Sequence, residues 1–209
     1  MKHLTKLFRL LEITRAQPQY GFTLAEIHKS DLSDLAQHHY LATAFGWQLA
    51  RLVKRSGVSL DVERVLEIGR VHDLGELFGG DIALPYARSN PKAKELSRQF
   101  EKENLRYLSD WFGEDKEHFA ALAQEAMEPS SLEGVIAKIA DYVEVTHYKL
   151  YMHRLSQNDV EMVVKSGEKM IASLSEPKAE KVLRTFLEQW AADLGKGKME
   201  ELFEEFKKE

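Results

Sequence analysis

The chain contains no cysteine in its 209 residues. Disulfides, thiolate metal sites and cysteine nucleophiles are therefore excluded together. It also lacks any apolar run near the ~18 residues that a membrane span requires. Its opening segment, Met1-Lys2-His3-Leu4-Thr5-Lys6, turns amphipathic at once and has no signal-peptide core. An excess of positive charge is missing too. The formal net charge is -5, which argues against a surface built to coat nucleic acid. What remains is 44% apolar and 30% charged residues, enough for a core and an ordinary charge density for a soluble chain. The expectation is a cytoplasmic protein with neither a membrane nor a nucleic acid as partner. At this length it reads as one domain over residues 1–209.

Sustained strand-like alternation is absent as well, whereas nearly every segment repeats its apolar residues with helical period. Leu4, Leu7, Phe8, Leu10 and Leu11 make a first stripe, ended by the turn from Pro18 to Gly21. Ser33 or Asp34 caps a second helix running to about Arg55, with Leu41, Phe45, Leu49 and Leu52 along one side. Gly57 ends it, and Asp61 starts a third helix that carries Val65 and Ile68 and stops at Gly79-Gly80. Residues 81–92 read as an irregular loop. Helices follow over 91–112 and 114–127. Pro129-Ser130-Ser131 then breaks the chain and caps a helix from Leu132 to about Leu155, with Ile136, Ile139, Val143 and Tyr148 on its apolar stripe. Three further helices are expected over 158–174, 177–194 and 198–206. Trp47, Trp111 and Trp190 read as packing residues, and His147 and His153 as surface or interface residues. The fold class is all-α.

Three places carry chemistry. His38-His39 lies one turn into the second helix, His72-Asp73 stands in Arg70-Val71-His72-Asp73-Leu74-Gly75-Glu76, and Asp141 interrupts an apolar helix face. Neutral imidazole and carboxylate together bind borderline and hard divalent ions. Adjacent helical residues point about 100° apart, so His72 and Asp73 share one ion only if other segments complete the shell. A carboxylate on an apolar stripe is costly unless paired or metal-bound. For Asp141 the spacing leaves both open: a metal, or an ion pair with Lys138 or Lys149. Spacing also does not rank His38 against His39.

Four stretches resemble one family in order. Asp34-Leu35-Ala36-Gln37-His38-His39-Tyr40 is similar to "SVAEHSY", and His72 through Gly80-Asp81 is similar to "HDxxExxxGD". Glu125 to Glu133 resembles the acidic segment that precedes the last motif, and Lys138-Ile139-Ala140-Asp141 with Glu144 matches "KxxDxxE". Together they resemble the HD-domain phosphohydrolases, in the branch that contains the 5′-deoxynucleotidases. The likeness covers about residues 5–155, with the helices over about 156–209 added to that core.

The resemblance implies an HD-domain helical bundle holding one divalent metal ion (Mn, Co, Fe, Zn or Mg) on His38, His72, Asp73 and Asp141. It implies Glu76 and Asp81 as the catalytic carboxylates and a homodimer as the assembly. The implied reaction is hydrolysis of a 5′-deoxynucleoside monophosphate by a water that the ion activates. Glu76 would orient that water or exchange a proton, and Asp81 would protonate the leaving oxygen or hold the sugar hydroxyl. Lys138 would neutralise the phosphate or fix the Asp141 carboxylate.

The chain departs from the pattern at Gln19-Tyr20-Gly21-Phe22, where Arg and Trp are usual. Gln19 stands where the phosphate-holding Arg would fall, and Arg15, one turn away, is the candidate substitute. Gln37 replaces the usual acid before the first histidine. These changes touch substrate recognition and not metal binding. The alternatives are therefore a hydrolase of another small phosphate ester, or a non-catalytic nucleotide-binding module.

Overall fold

A computed structural model of the chain describes residues 2–197 together with residue 201. Among these residues there is no strand, only an isolated bridge between Pro18 and Asp34. The centre is formed by three helices, α2 (Leu35–Arg55), α3 (Val62–Val71) and α7 (Leu132–Tyr151), each packed on the other two. Each begins where a short polar side chain satisfies a free backbone N–H. Asp34 accepts from Gln37 N at 2.8 Å, Asp61 from Arg64 N at 3.1 Å and Ser131 from Gly134 N at 3.0 Å. Asp34, and not Ser33, is thus the cap of α2. Ile136, Ile139 and Val143 of α7 are buried against Val65 and Ile68 of α3 in one apolar cluster. Gly46 of α2 faces both other helices, since a Cβ there would stand in ordinary contact with Val65 at 3.4 Å and Ala140 at 3.5 Å.

Around this centre lie α1 (Lys2–Leu11), a short α4 (Leu84–Ser89), α5 (Pro91–Ser109) and α6 (Lys116–Met127). The chain continues in α8 (Gln157–Ile171) and α9 (Pro177–Asp193), where α8 packs on α7 and α9 reaches back to α2. No helix among the described residues is long and apolar enough to cross a membrane. The helix expected over 198–206 lies outside the described residues except for residue 201.

Several expectations need correction. The third helix does not run to Gly79-Gly80: α3 ends at Val71, and a separate 3-10 turn covers Leu74–Glu76. The loop expected over 81–92 contains α4, which has a proline in its first turn, where proline is tolerated. On α2 the stripe is rotated. Leu41 and Leu52 are 40% and 37% exposed, whereas Leu49 is buried and Phe45 partly so as expected, and Leu35, Ala42 and Val53 complete the core face. The core face of α2 is set by the two histidines and small residues that meet α3 and α7. Trp47 is 46% exposed and is not a packing residue.

His147 is also not a surface residue. It is half-buried between Phe45 and Trp190, and the Trp190 indole N–H donates to His147 Nε2 at 3.0 Å. That bond ties α9 to α7 and requires a neutral imidazole. Burial holds the His147 pKa below its usual value. A depressed histidine pKa contributes stability that is present above about pH 6.5 and lost as pH falls through the folded value. We therefore expect the Trp190 environment, followed by fluorescence, to change on acidification before global unfolding. The lost neutral hydrogen bond is worth about 1 kcal/mol. A His147→Gln variant should lose that transition.

Candidate metal centre

The break at the end of α3 is what lets two adjacent residues face one point. His72 closes the helix with helical dihedrals, and its Nδ1 donates to Gly69 O at 2.9 Å. Asp73 leaves the helical region at φ -112, ψ 15. Their side chains then converge, with His72 Nε2 3.5 Å from Asp73 Oδ2. α2 brings His38 from the other side, and its Nε2 lies 2.8 Å from His72 Nε2 and 3.3 Å from Asp73 Oδ2. α7 supplies Asp141, whose Oδ1 lies 3.3 Å from His38 Nε2 and 3.7 Å from His72 Nε2. One ligating atom from each of the four residues lies within 4.8 Å of all the others.

The hydrogen-bond network assigns the tautomers. Gly69 O only accepts, so His72 carries its proton on Nδ1 and presents a lone pair at Nε2. His38 Nδ1 donates to Glu144 Oε2 at 2.5 Å, which likewise frees the His38 Nε2 lone pair. Two lone pairs 2.8 Å apart, facing two carboxylate oxygens, repel unless a proton or a metal cation lies among them. Neighbouring ligands on an ion with ~2.1 Å bonds are roughly 3.0–3.4 Å apart, close to the spacing found. The donor set of two imidazoles and two carboxylates suits Mn²⁺, Co²⁺, Fe²⁺, Zn²⁺ or Mg²⁺ to differing extents. The residues fit a divalent ion.

Charge in the cluster follows the same logic. Burial works against a charged His38, yet hydrogen bonds with Asp141, Asp73 and Glu144 hold its pKa well above the usual value. Burial works against an ionised Asp73, but His72, His38 and Lys138 hold its pKa well below the usual range. Asp141 is similarly depressed against its burial, chiefly by Lys138. Lys138 Nζ lies 2.8 Å from Asp141 Oδ2, while Oδ1 faces the histidines. The ion pair and the metal position, left as alternatives by the sequence, are thus met by two oxygens of one carboxylate.

His38 and His39 separate clearly. His39 is buried with its ring 4.8 Å from that of His72, and its Nε2 has no hydrogen-bond partner among the described residues. Burial, helped by His72, keeps its pKa well below the usual value. It packs behind the cluster.

Glu76 follows in the turn after Asp73. Burial raises its pKa well above the usual value, with Asp73, Asp81 and Glu101 adding to the effect. Asp81 is raised first by burial and then by Asp73, against a hydrogen bond of 2.6 Å from Gly21 N to its Oδ2. That bond brings the Gln19–Phe22 stretch to the carboxylates. Gln19 is buried there with Oε1 unpartnered among the described residues, and Phe22 is buried against the Tyr148 ring at 4.7 Å. Arg15 stands apart, exposed at the surface and paired with Glu12 at 2.7 Å.

Two acidic residues have places in the site that the sequence did not assign: Glu144, which the motif matched without a role, and Glu101. Glu144 is 2% exposed and orients His38; its signal is the three-residue interval from Asp141, which places both on one face of α7. Glu101 of α5 is raised to about 7, first by burial and then by Asp73. No local pattern in the sequence links it to residue 73. Glu125 turns out to be a staple: it accepts from the N–H and hydroxyl groups of Ser130 and Ser131 at 2.8–2.9 Å, ahead of α7.

Outer partners of metal-binding histidines typically carry 10–100-fold in affinity. Glu144→Gln should therefore weaken divalent-metal binding by roughly that factor, with the helical circular dichroism retained. Calorimetric titration of the metal-free protein measures it.

Comparison with known proteins agrees with this geometry. No curated protein matches the chain. Among solved structures, a conserved hypothetical protein from Pyrococcus furiosus superposes with a TM-score of 0.67 at 26% identity, covering 91% of this chain and 99% of that one. A protein from Pyrococcus horikoshii OT3 shares the fold with a TM-score of 0.64 at 22% identity, covering 90% of this chain and 98% of its own. A model of the HD domain matches residues 26–183, a span that takes in all four clustered side chains. The chain belongs to the HD-domain family, whose members are generally metal-dependent phosphohydrolases.

Proposed function

We propose that this chain is a phosphomonoesterase acting on 5′-deoxynucleoside monophosphates. The observation that carries the reading is the His38-His72-Asp73-Asp141 cluster with Glu76 beside it. When bound, a divalent ion lowers the pKa of a water and offsets charge that builds on the phosphoryl oxygens. In hydrolysis a water oxygen bonds to phosphorus, the ester P–O bond breaks, and the departing alkoxide takes a proton.

Glu76 is suited to proton exchange, because its raised pKa lets it hold a proton at a pH where an ordinary glutamate has lost it. Asp81 has Oδ2 engaged by Gly21 N, which leaves Oδ1 for the leaving oxygen or a sugar hydroxyl. Lys138 keeps its charge in spite of burial, because Asp141 and Asp73 raise its pKa. It places one positive charge beside the phosphate position. We propose the homodimer as well. The exposed Tyr40, Leu41, Trp47 and Leu52 on α2 support it, and analytical ultracentrifugation tests it.

One observation favours a second substrate. The buried, uncharged Gln19 stands where the resemblance expects a phosphate-holding Arg, and Arg15 is engaged elsewhere. A different small phosphate ester is therefore the second reading. The test is phosphate release from deoxy- and ribonucleoside 5′-monophosphates and from sugar phosphates, by protein stripped of metal and reloaded with each ion. Metal-dependent release from deoxynucleotides is the expected result. Release from sugar phosphates alone would move the assignment to the second reading, and a loaded but inert protein would leave only a binding role.

A further inference from the structure

Glu76 and Asp81 are carried by a stretch with little regular structure. The 3-10 turn Leu74–Glu76 ends at once, and Gly79 and Gly80 follow with φ of 97° and 111°. The segment's own backbone bonds are isolated turns, Glu76 N to Asp73 O at 2.9 Å, Leu77 N to Leu74 O at 3.1 Å and Gly79 N to Glu76 O at 2.8 Å, and none of these reaches Gly80 or Asp81. α5 runs alongside and holds it at two places. Asn104, only 7% exposed, donates Nδ2 to Gly75 O at 2.6 Å. Ser97 donates Oγ to Gly80 O at 2.7 Å. Between the two bonds, the Glu101 side chain crosses Gly75, with Cγ 2.5 Å from where a Cβ on that glycine would stand.

Residues 97, 101 and 104 are spaced by four and three, so they share one face of α5. The two anchored carbonyls are not arbitrary ones. Each belongs to the residue immediately before a carboxylate of the site, Gly75 before Glu76 and Gly80 before Asp81. A peptide unit is planar, so fixing its carbonyl fixes the N–H and Cα of the next residue. The same helix thus sets the origin of both side chains, through bonds that neither carboxylate makes itself.

We propose that Asn104 and Ser97 are positioning residues for the hydrolysis, holding the peptides from which Glu76 and Asp81 project. This rests on the phosphomonoesterase reading above. Displacement of a reacting group by about 1 Å can cost 10²-fold in rate, whereas metal binding through His38, His72, Asp73 and Asp141 involves neither anchor.

The test uses the full chain loaded with Mn²⁺. Asn104→Leu keeps the volume and removes the donor, Ser97→Ala does so at a half-buried position, and Ser97→Thr restores the hydroxyl. Hydrogen exchange of amides 76–81, metal content, kcat and KM are read for each. Exchange at 76–81 should quicken at least about tenfold, and kcat should fall roughly 10–100-fold with KM within about twofold. Metal content and exchange in α2 and α7 should stay as in the parent, and Ser97→Thr should recover. An active parent whose two variants match it in exchange and kcat overturns the positioning roles alone. A fall in metal content, or faster exchange throughout α2 and α7, would show general destabilisation and also overturn them. If the parent itself releases no phosphate from any ester, the phosphomonoesterase reading fails by that control, and the positioning roles fail with it.

Discussion

Asp73→Ala is expected to leave a folded protein that no longer retains a divalent ion and that releases phosphate at least about 10³-fold more slowly. The residue lies at the end of α3, so its loss removes no turn of helix and no core side chain. What it removes is one of four donors, at 3.3 and 3.5 Å from the two imidazole nitrogens. The remaining three ligands cannot balance the ion's charge as four do. A ligand that binds only the native state stabilises it by RT ln(1 + [L]/Kd), about 4 kcal/mol at a thousandfold excess over Kd. Adding Mn²⁺ should therefore raise the thermal midpoint of the parent by several degrees and that of Asp73→Ala hardly at all. A variant that still gains the full shift would place the ion elsewhere.

Glu76→Gln should give the opposite division: metal content unchanged and kcat lower by roughly 10²–10⁴-fold, the range general acid–base groups supply. Glutamine keeps the shape and hydrogen-bonding reach of the side chain but cannot exchange a proton. The carboxyl's raised pKa comes from burial first and from Asp73, Asp81 and Glu101 next. The limb of the pH–rate profile due to this group should vanish in the variant. Retained activity with an unchanged profile would transfer the proton role to Asp81 or Glu101. Run on the same preparations, the two variants separate holding the ion from using it.

Much of this site was legible from residue type and order. The caps at Asp34, Asp61 and Ser131 and the stripe Ile136, Ile139 and Val143 follow from local rules, and the four residues that cluster are those the family resemblance implies. What local rules miss is whatever one element imposes on another. Leu41 and Leu52 have the periodicity of a core face, but α2 rotates them outward because its histidines must face α3 and α7. The path of the chain through the Leu74–Glu76 turn is held by a long-range partner, Asn104 on Gly75 O, which no window around residue 75 contains. Glu101, Ser97 and Asn104 carry no motif. Their importance is visible only once α5 is laid against the turn.

The distribution of the ligands also bears on how the chain folds. His38 and Asp141 are about 100 positions apart, and each sits on a different helix of the central three. An ion that joins them closes a loop of that length and acts as a reversible cross-link in a chain that has no cysteine to make a permanent one. A covalent bridge around a loop of about 100 residues is worth about 4.7 kcal/mol in the chain-entropy picture. A metal link can be undone by a chelator and remade by adding the ion, so refolding with and without chelator would show when α2 and α7 find each other.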